Sequence, residues 1–246
     1  MNWGFASSAV TLWPWLTRLG EAQFLLPLAL LGLTWVWRSA GARAAQRAWA
    51  WRALALLAAV IGVTTASKLA FMGWGLGIAR WDFTGFSGHS MFAAAVLPLL
   101  TWLALAASPA VSVRADRESD RGRFSTATWA WIGLSYSLAA LIAYSRLKVG
   151  AHSVSESVTG FLLGAVASGA SLWLAPPLRR GLPRGLPMAA LALLLLMPSM
   201  APPSRSHDWV THWALQLSGR QQPVDRRDLQ EPEAGPELQH LQEPAS

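Results

Sequence analysis

SRLKVGAHSVSE, residues 145–156, lies between LSYSLAALIAY (134–144) and SVTGFLLGAVASGA (157–170). An arginine, a lysine, a histidine and a glutamate are thus set between two apolar runs. If those runs are membrane helices, the charges are expensive where they stand, and ionisable residues at that depth usually mark a functional site. Whether the runs cross a bilayer decides both the fold and the reading of this stretch.

Composition favours the bilayer. Of the 246 residues, 53% are hydrophobic and 13% charged, against roughly 25% charged in a soluble domain. The mean hydropathy is +0.32. Six apolar runs recur, at about Ala22–Trp37, Trp49–Ser67, Ser90–Ala107, Thr126–Tyr144, Ser157–Ala175 and Gly185–Ala201. Several are shorter than the ~20 residues of a full span. Six successive runs bounded by charge still fit membrane helices better than buried soluble ones. The expected fold is an all-α integral membrane bundle of about six transmembrane helices. There is no cysteine, which excludes disulfides, thiolate nucleophiles and cysteine-based metal sites. MNWGFASSAV lacks the basic start of a cleavable signal.

The net charge of +7 and the sequence pI near 11.2 do not point to nucleic acid, because the basic residues cluster in short loops. Arg38, Arg43, Arg47 and Arg52 fall in the first loop. Arg114, Arg117, Arg121 and Arg123 fall in the third, and Arg179, Arg180 and Arg184 in the fifth. The positive-inside rule makes those loops cytoplasmic. Trp35, Trp37, Trp49, Trp51, Trp129, Trp131 and Trp173 stand at the same helix ends, as an interfacial belt would. Both termini and loops two and four then face outward. Residues 1–21 read as an interfacial segment, 22–203 as the membrane domain, 204–218 as a surface amphipathic helix and 219–246 as a disordered tail.

The two outward loops carry the chemistry. Loop two holds Lys68, Arg80, Asp82 and the tetrad Ser87-Gly88-His89-Ser90 at a helix start. A helix N-terminus attracts anions, and glycine allows close approach. A histidine there can protonate a leaving oxygen. Loop four places Ser145 and Arg146 at one helix end and His152 and Glu156 at the next helix start. Arginine grips phosphate through its fork of donors. A neutral imidazole attacks phosphorus when an acceptor holds its other nitrogen, and Glu156 is one turn beyond His152.

These stretches resemble the motifs of the type 2 phosphatidic acid phosphatase superfamily, whose second motif is P-S-G-H and whose third is S-R-x5-H-x3-D. This chain has F-S-G-H at 86–89 and S-R-x5-H-x3-E at 145–156. The resemblance covers about residues 68–164. It implies a family-like core in which His152 is the nucleophile of a phosphohistidine intermediate, Glu156 orients it and His89 is the general acid. Arg146, Ser87, Gly88, Ser145, Lys68 and Arg80 would hold phosphate. No metal or cofactor is implied. The implied activity is hydrolysis of a lipid phosphate monoester or pyrophosphate, such as undecaprenyl pyrophosphate, a phosphatidate-like lipid or lipid A. The implied location is the outer side of a bacterial cytoplasmic membrane. The expected partners are the phosphorylated lipid and the bilayer.

The chain departs from the family in three places. The first motif, K-x6-R-P, is absent: eleven residues separate Lys68 from Arg80, and Trp81 follows in place of proline. Phe86 replaces the proline of the second motif, and Glu156 replaces the aspartate of the third. Other readings stand beside the phosphatase. Ser153-x-x-Glu156 is also a capping box. His89, His152 and Glu156 have the content of a metal triad. An impaired relative that binds or carries phosphorylated lipid is the alternative function. Gly160 and Gly164, with Ala167 and Ser168, form a small-residue face for close helix packing. His207 and His212, five apart, suit one metal poorly.

Overall fold

In hydrocarbon a backbone must satisfy its own hydrogen bonds, which leaves an apolar run of this length little choice but helix. The computed structural model describes residues 5–41, 43–106, 125–176, 178, 183, 185–202 and 204–230. It contains α1 (Phe5–Arg18), α2 (Ala22–Ser39), α3 (Ala44–Trp74), α4 (Gly88–Ala106), α5 (Thr126–Lys148), α6 (Val154–Trp173), α7 (Gly185–Met200), α8 (Ser206–Ser218) and the short α9 (Arg226–Gln230). A 3-10 turn spans Ala79–Trp81. Among the described residues the nearest approach to a sheet is one antiparallel bridge, Ile78 to Phe83.

Among the described residues four stretches are long and apolar enough to cross a bilayer: Leu12–Ser39, Ala44–Trp74, Gly88–Ala106 and Thr126–Lys148. The first joins the end of α1 to α2. Of the two remaining apolar runs, α6 has spanning length but is diluted by Ser155, Glu156, Ser157, Thr159, Ser168 and Ser171. The last is the shorter apolar helix α7. Leu31, Leu134, Leu141, Leu162, Val166 and Leu195 are exposed on the outside of the bundle. Apolar surface on this scale suits lipid tails better than water. The arginines of the third and fifth loops lie outside the described residues.

The centre of the bundle is α4, which packs against α2, α3, α5 and α6. Its most intimate neighbour is α6. A Cβ at Gly160 would lie 2.6 Å from the Ser87 carbonyl oxygen, and one at Gly164 only 2.2 Å from that of Met91. The small-residue face expected from the sequence is therefore the surface on which the two backbones meet. Pro98, inside α4, has no N–H for the carbonyl of Ala94. Ser168 Oγ of α6 donates to that carbonyl at 2.7 Å, and Tyr136 of α5 bonds the same hydroxyl at 2.7 Å. The proline that weakens α4 thus gains a tie to two neighbours. Gly164→Ala is expected to force α4 and α6 apart and lower stability by about 1–3 kcal/mol, read as a loss of thermal stability in detergent.

The far end of the bundle has its own core, formed by Leu33, Val36, Ala53, Leu103, Ile132 and their neighbours. Trp49 belongs to it. Its indole donates to the Ser171 carbonyl at 2.8 Å and its ring lies 5.0 Å from that of Trp102. The belt expected from sequence loses this member: Trp49 is buried, whereas Trp35, Trp37, Trp51, Trp129, Trp131 and Trp173 are exposed.

Two terminal segments depart from their sequence readings. α1 was expected at the interface, yet Leu16 and Leu19 are buried in the core that contains Met91 and Ile142. The α1–α2 turn sits so close to α4 that a Cβ at Gly20 would be 2.9 Å from the His89 carbonyl oxygen. At the other terminus, α8 packs on α3 and buries Ala214. The tail that follows is expected to be disordered from Gly219. Residues 219–230 instead return to the bundle, and the Val224 N–H donates to the Met72 carbonyl at 2.9 Å. Residues 231–246 lie outside the described residues.

Candidate active site

Alternating helix direction brings the end of α3, the start of α4, the end of α5 and the start of α6 to one end of the bundle. There a cavity of about 1050 Å³ is lined by Lys68, Gly88, His89, Arg146 and His152, along with residues of α1, α8 and the tail. Segments more than fifty positions apart in sequence meet around this single space. The first-turn amides of α4, beginning at Gly88, have no partner within their own helix.

His152 and Glu156 form the tightest unit. His152 Nδ1 lies 2.7 Å from Glu156 Oε2. An ionised carboxylate only accepts, so Nδ1 carries the proton and Nε2 keeps its lone pair. The same Oε2 accepts the Ser153 N–H at 3.1 Å, while Ser153 Oγ accepts the Glu156 N–H at 3.3 Å. The capping box and the orienting contact therefore coexist. Oε1 accepts the Thr84 N–H at 2.7 Å and the Thr84 hydroxyl. The Ser87 N–H donates to the Glu156 carbonyl at 3.1 Å. Glu156 is fully buried, and its extra methylene, compared with aspartate, is used to reach both loops.

Burial pushes the His152 imidazole down from 6.5 to about 4, with Lys68 and Arg146 acting in the same direction and the Glu156 hydrogen bond opposing them. The ring is neutral at pH 7, as a nucleophile requires. Between about pH 6.5 and about pH 4 the unfolded chain takes up a proton that the folded chain refuses. Stability from this group is therefore complete above pH 6.5 and is lost as pH falls towards 4. Should His152 act as the nucleophile that the resemblance implies, the acid limb of kcat/KM is expected near pH 4 rather than near 6.5, measured as phosphate release across that range.

Two cations, Lys68 and Arg146, line the cavity. Arg146 Nη1 donates to Thr17 Oγ1 at 2.9 Å, and its buried Nε has no hydrogen-bond partner among the described residues. Neither Arg146 nor Lys68 makes an ion pair among the described residues. Glu21, buried nearby in the α1–α2 turn, is paired with Arg18 at 3.0 Å. Among the described residues no three His, Asp or Glu side chains are grouped to hold a metal ion, so the triad content of His89, His152 and Glu156 does not become a metal-binding geometry.

Three residues expected on phosphate stand elsewhere. Arg80 is exposed on the 3-10 turn and is absent from the cavity lining. The long interval after Lys68 carries it around the loop. Ser145 is buried and donates to the Ile142 carbonyl at 2.6 Å, the usual satisfaction of a helical serine by the preceding turn. Ser87 is buried against Ser90 Oγ at 3.0 Å and lies outside the lining. Conversely, Thr84, Thr17 and Arg226 belong to the site without a sequence signal to mark them. Arg226 Nη2 donates to Glu156 Oε2 at 2.8 Å.

No family model matches the chain, and no solved structure matches it. It is 40% identical over 158 residues to an uncharacterized 22.5 kDa protein in the cps region of Klebsiella pneumoniae. The aligned stretch is 63% of this chain and 66% of that protein.

Proposed function

We propose that this chain is a membrane lipid phosphatase of the type 2 phosphatidic acid phosphatase kind, with six spans and its cavity on the outer side of a bacterial cytoplasmic membrane. The observation that carries the reading is the convergence around one cavity of two histidines, a lysine without an ion pair and an arginine whose buried Nε lacks a hydrogen-bond partner, both among the described residues. The bacterial relative and the positive-inside pattern support the location.

In this reading the phosphoryl group enters among Lys68, Arg146 and the first amides of α4, which stabilise its charge. His152 Nε2 attacks phosphorus while Glu156 holds Nδ1–H. The bond to the leaving oxygen breaks, and His89 gives that oxygen a proton. Water then attacks the phosphohistidine, releasing phosphate and restoring His152, with His89 taking the proton from water. The lipid tail lies outward along apolar helix faces. Phosphate release from undecaprenyl pyrophosphate, phosphatidate, phosphatidylglycerophosphate and lipid A in detergent or nanodiscs tests the reading. Release from at least one is expected, and none from any would overturn it.

A second reading is a non-catalytic binder of phosphorylated lipid. It is favoured by the displacement of Arg80, Ser145 and Ser87 from the cavity. Saturable lipid binding by a wild-type chain that turns nothing over would select it.

A further inference from the structure

Arg226 stands seventy residues beyond Glu156 in a polar tail, yet its guanidinium lies against the carboxylate that holds His152. Nη2 bonds Glu156 Oε2 at 2.8 Å and lies 3.5 Å from Thr84 Oγ1. Nη1 bonds the carboxylate of Asp82 and, at 3.2 Å, its carbonyl oxygen. Asp82 has φ 48°, a left-handed conformation that few non-glycine residues adopt. The tail is fixed just upstream by the Val224–Met72 hydrogen bond. One planar fork thus joins α6, the loop before α4 and the C-terminal tail, a geometry that guanidinium satisfies and ammonium does not.

We propose that Arg226 is a positioning residue: acting through Glu156, it holds His152 in its attacking orientation and so makes the C-terminal tail part of the active site. This inference rests on the phosphatase reading. Glu156 Oε2 accepts from the imidazole, from the Ser153 amide and from Arg226. The guanidinium neutralises part of the carboxylate charge and stops the side chain from swinging. Around His152 stand Lys68 of α3, His89 of α4, Arg146 of α5 and Glu156 of α6, with Arg226 behind Glu156. Loss of Arg226 leaves Glu156 more strongly attractive to a protonated imidazole, while Lys68 and Arg146 are unchanged. His152 then takes up a proton at higher pH.

The test uses the full chain in nanodiscs, as wild type, Arg226→Gln, Arg226→Lys and the exposed neighbour Arg227→Gln. Turnover of a lipid phosphate is measured beside an NMR titration of labelled histidines, with His152 assigned by its alanine variant. Arg226→Gln is expected to lower kcat about 10–100-fold, with KM changed less than about threefold. It is also expected to raise the pH at which His152 titrates. Arg226→Lys recovers part of both effects, and Arg227→Gln matches wild type. An unchanged kcat and an unmoved titration in Arg226→Gln would overturn the proposal, as would a loss confined to KM. If wild type turns over no lipid, the phosphatase reading fails, and the titration still decides whether Arg226 acts on His152 through Glu156.

Discussion

Replacing His152 with alanine is expected to lower phosphate release by about 10⁴-fold or more, while the variant still binds phosphorylated lipid. His152 is in the loop between α5 and α6, and its side chain keeps 12% of its surface exposed. Its ring lines the cavity and belongs to neither apolar core, so truncation is expected to leave the helices that frame the cavity packed. In the proposed reading Lys68, Arg146 and the amides of α4 remain to hold the phosphoryl group. The loss is expected in kcat, because in the proposed reading the missing group acts on phosphorus rather than on the bound lipid. Single-turnover phosphate release together with lipid binding separates the two quantities. Turnover within tenfold of wild type would identify another nucleophile.

Glu156→Gln is expected to be nearly as severe, for a different reason. The carboxylate accepts on Oε1 from Thr84 twice, and on Oε2 from His152, Ser153 and Arg226. An amide in either orientation turns its NH₂ group onto donors. The Arg226 guanidinium and the His152 imidazole lose their acceptor, or the Thr84 loop does. Stability should fall by about 3 kcal/mol or more and turnover by on the order of 10³–10⁴. Glu156→Asp keeps the charge but shortens the reach, so it cannot hold Thr84 and His152 together. A smaller loss of turnover is expected, and a gain would show that the longer side chain is a handicap. Thermal unfolding beside phosphate release distinguishes loss of fold from loss of chemistry.

The course of the helices could be read from hydropathy because an apolar run of this length has one common way to satisfy its backbone. Each of the six runs lies largely within a helix. The pairing of His152 with Glu156 was legible too, since a spacing of four on one turn leaves few other geometries. Local pattern failed where tertiary packing chose the partner. Arg80 follows Lys68 in the order that a motif suggests, but the glycine-rich loop carries it to the surface. Ser145 has the hydroxyl of a phosphate ligand and spends it on its own helix. Trp49 has the address of a belt residue and is buried because α3 turns it towards Ser171. Thr84 lies in a loop, Thr17 at the end of α1 and Arg226 at the start of α9, and their roles come from contacts 72, 129 and 70 residues away. A polar, proline-containing tail has no means of announcing one arginine that folds back.

The most direct measurement traps the covalent intermediate. A lipid carrying a radiolabelled phosphoryl group is mixed with the full chain in nanodiscs, quenched in alkali within milliseconds, digested and mapped. Label is expected on His152, labile to acid and stable to base, absent in His152→Ala and accumulating in His89→Ala for a substrate with an activated leaving group. Label on another residue, or rapid turnover with no covalent label at any quench time, would contradict it.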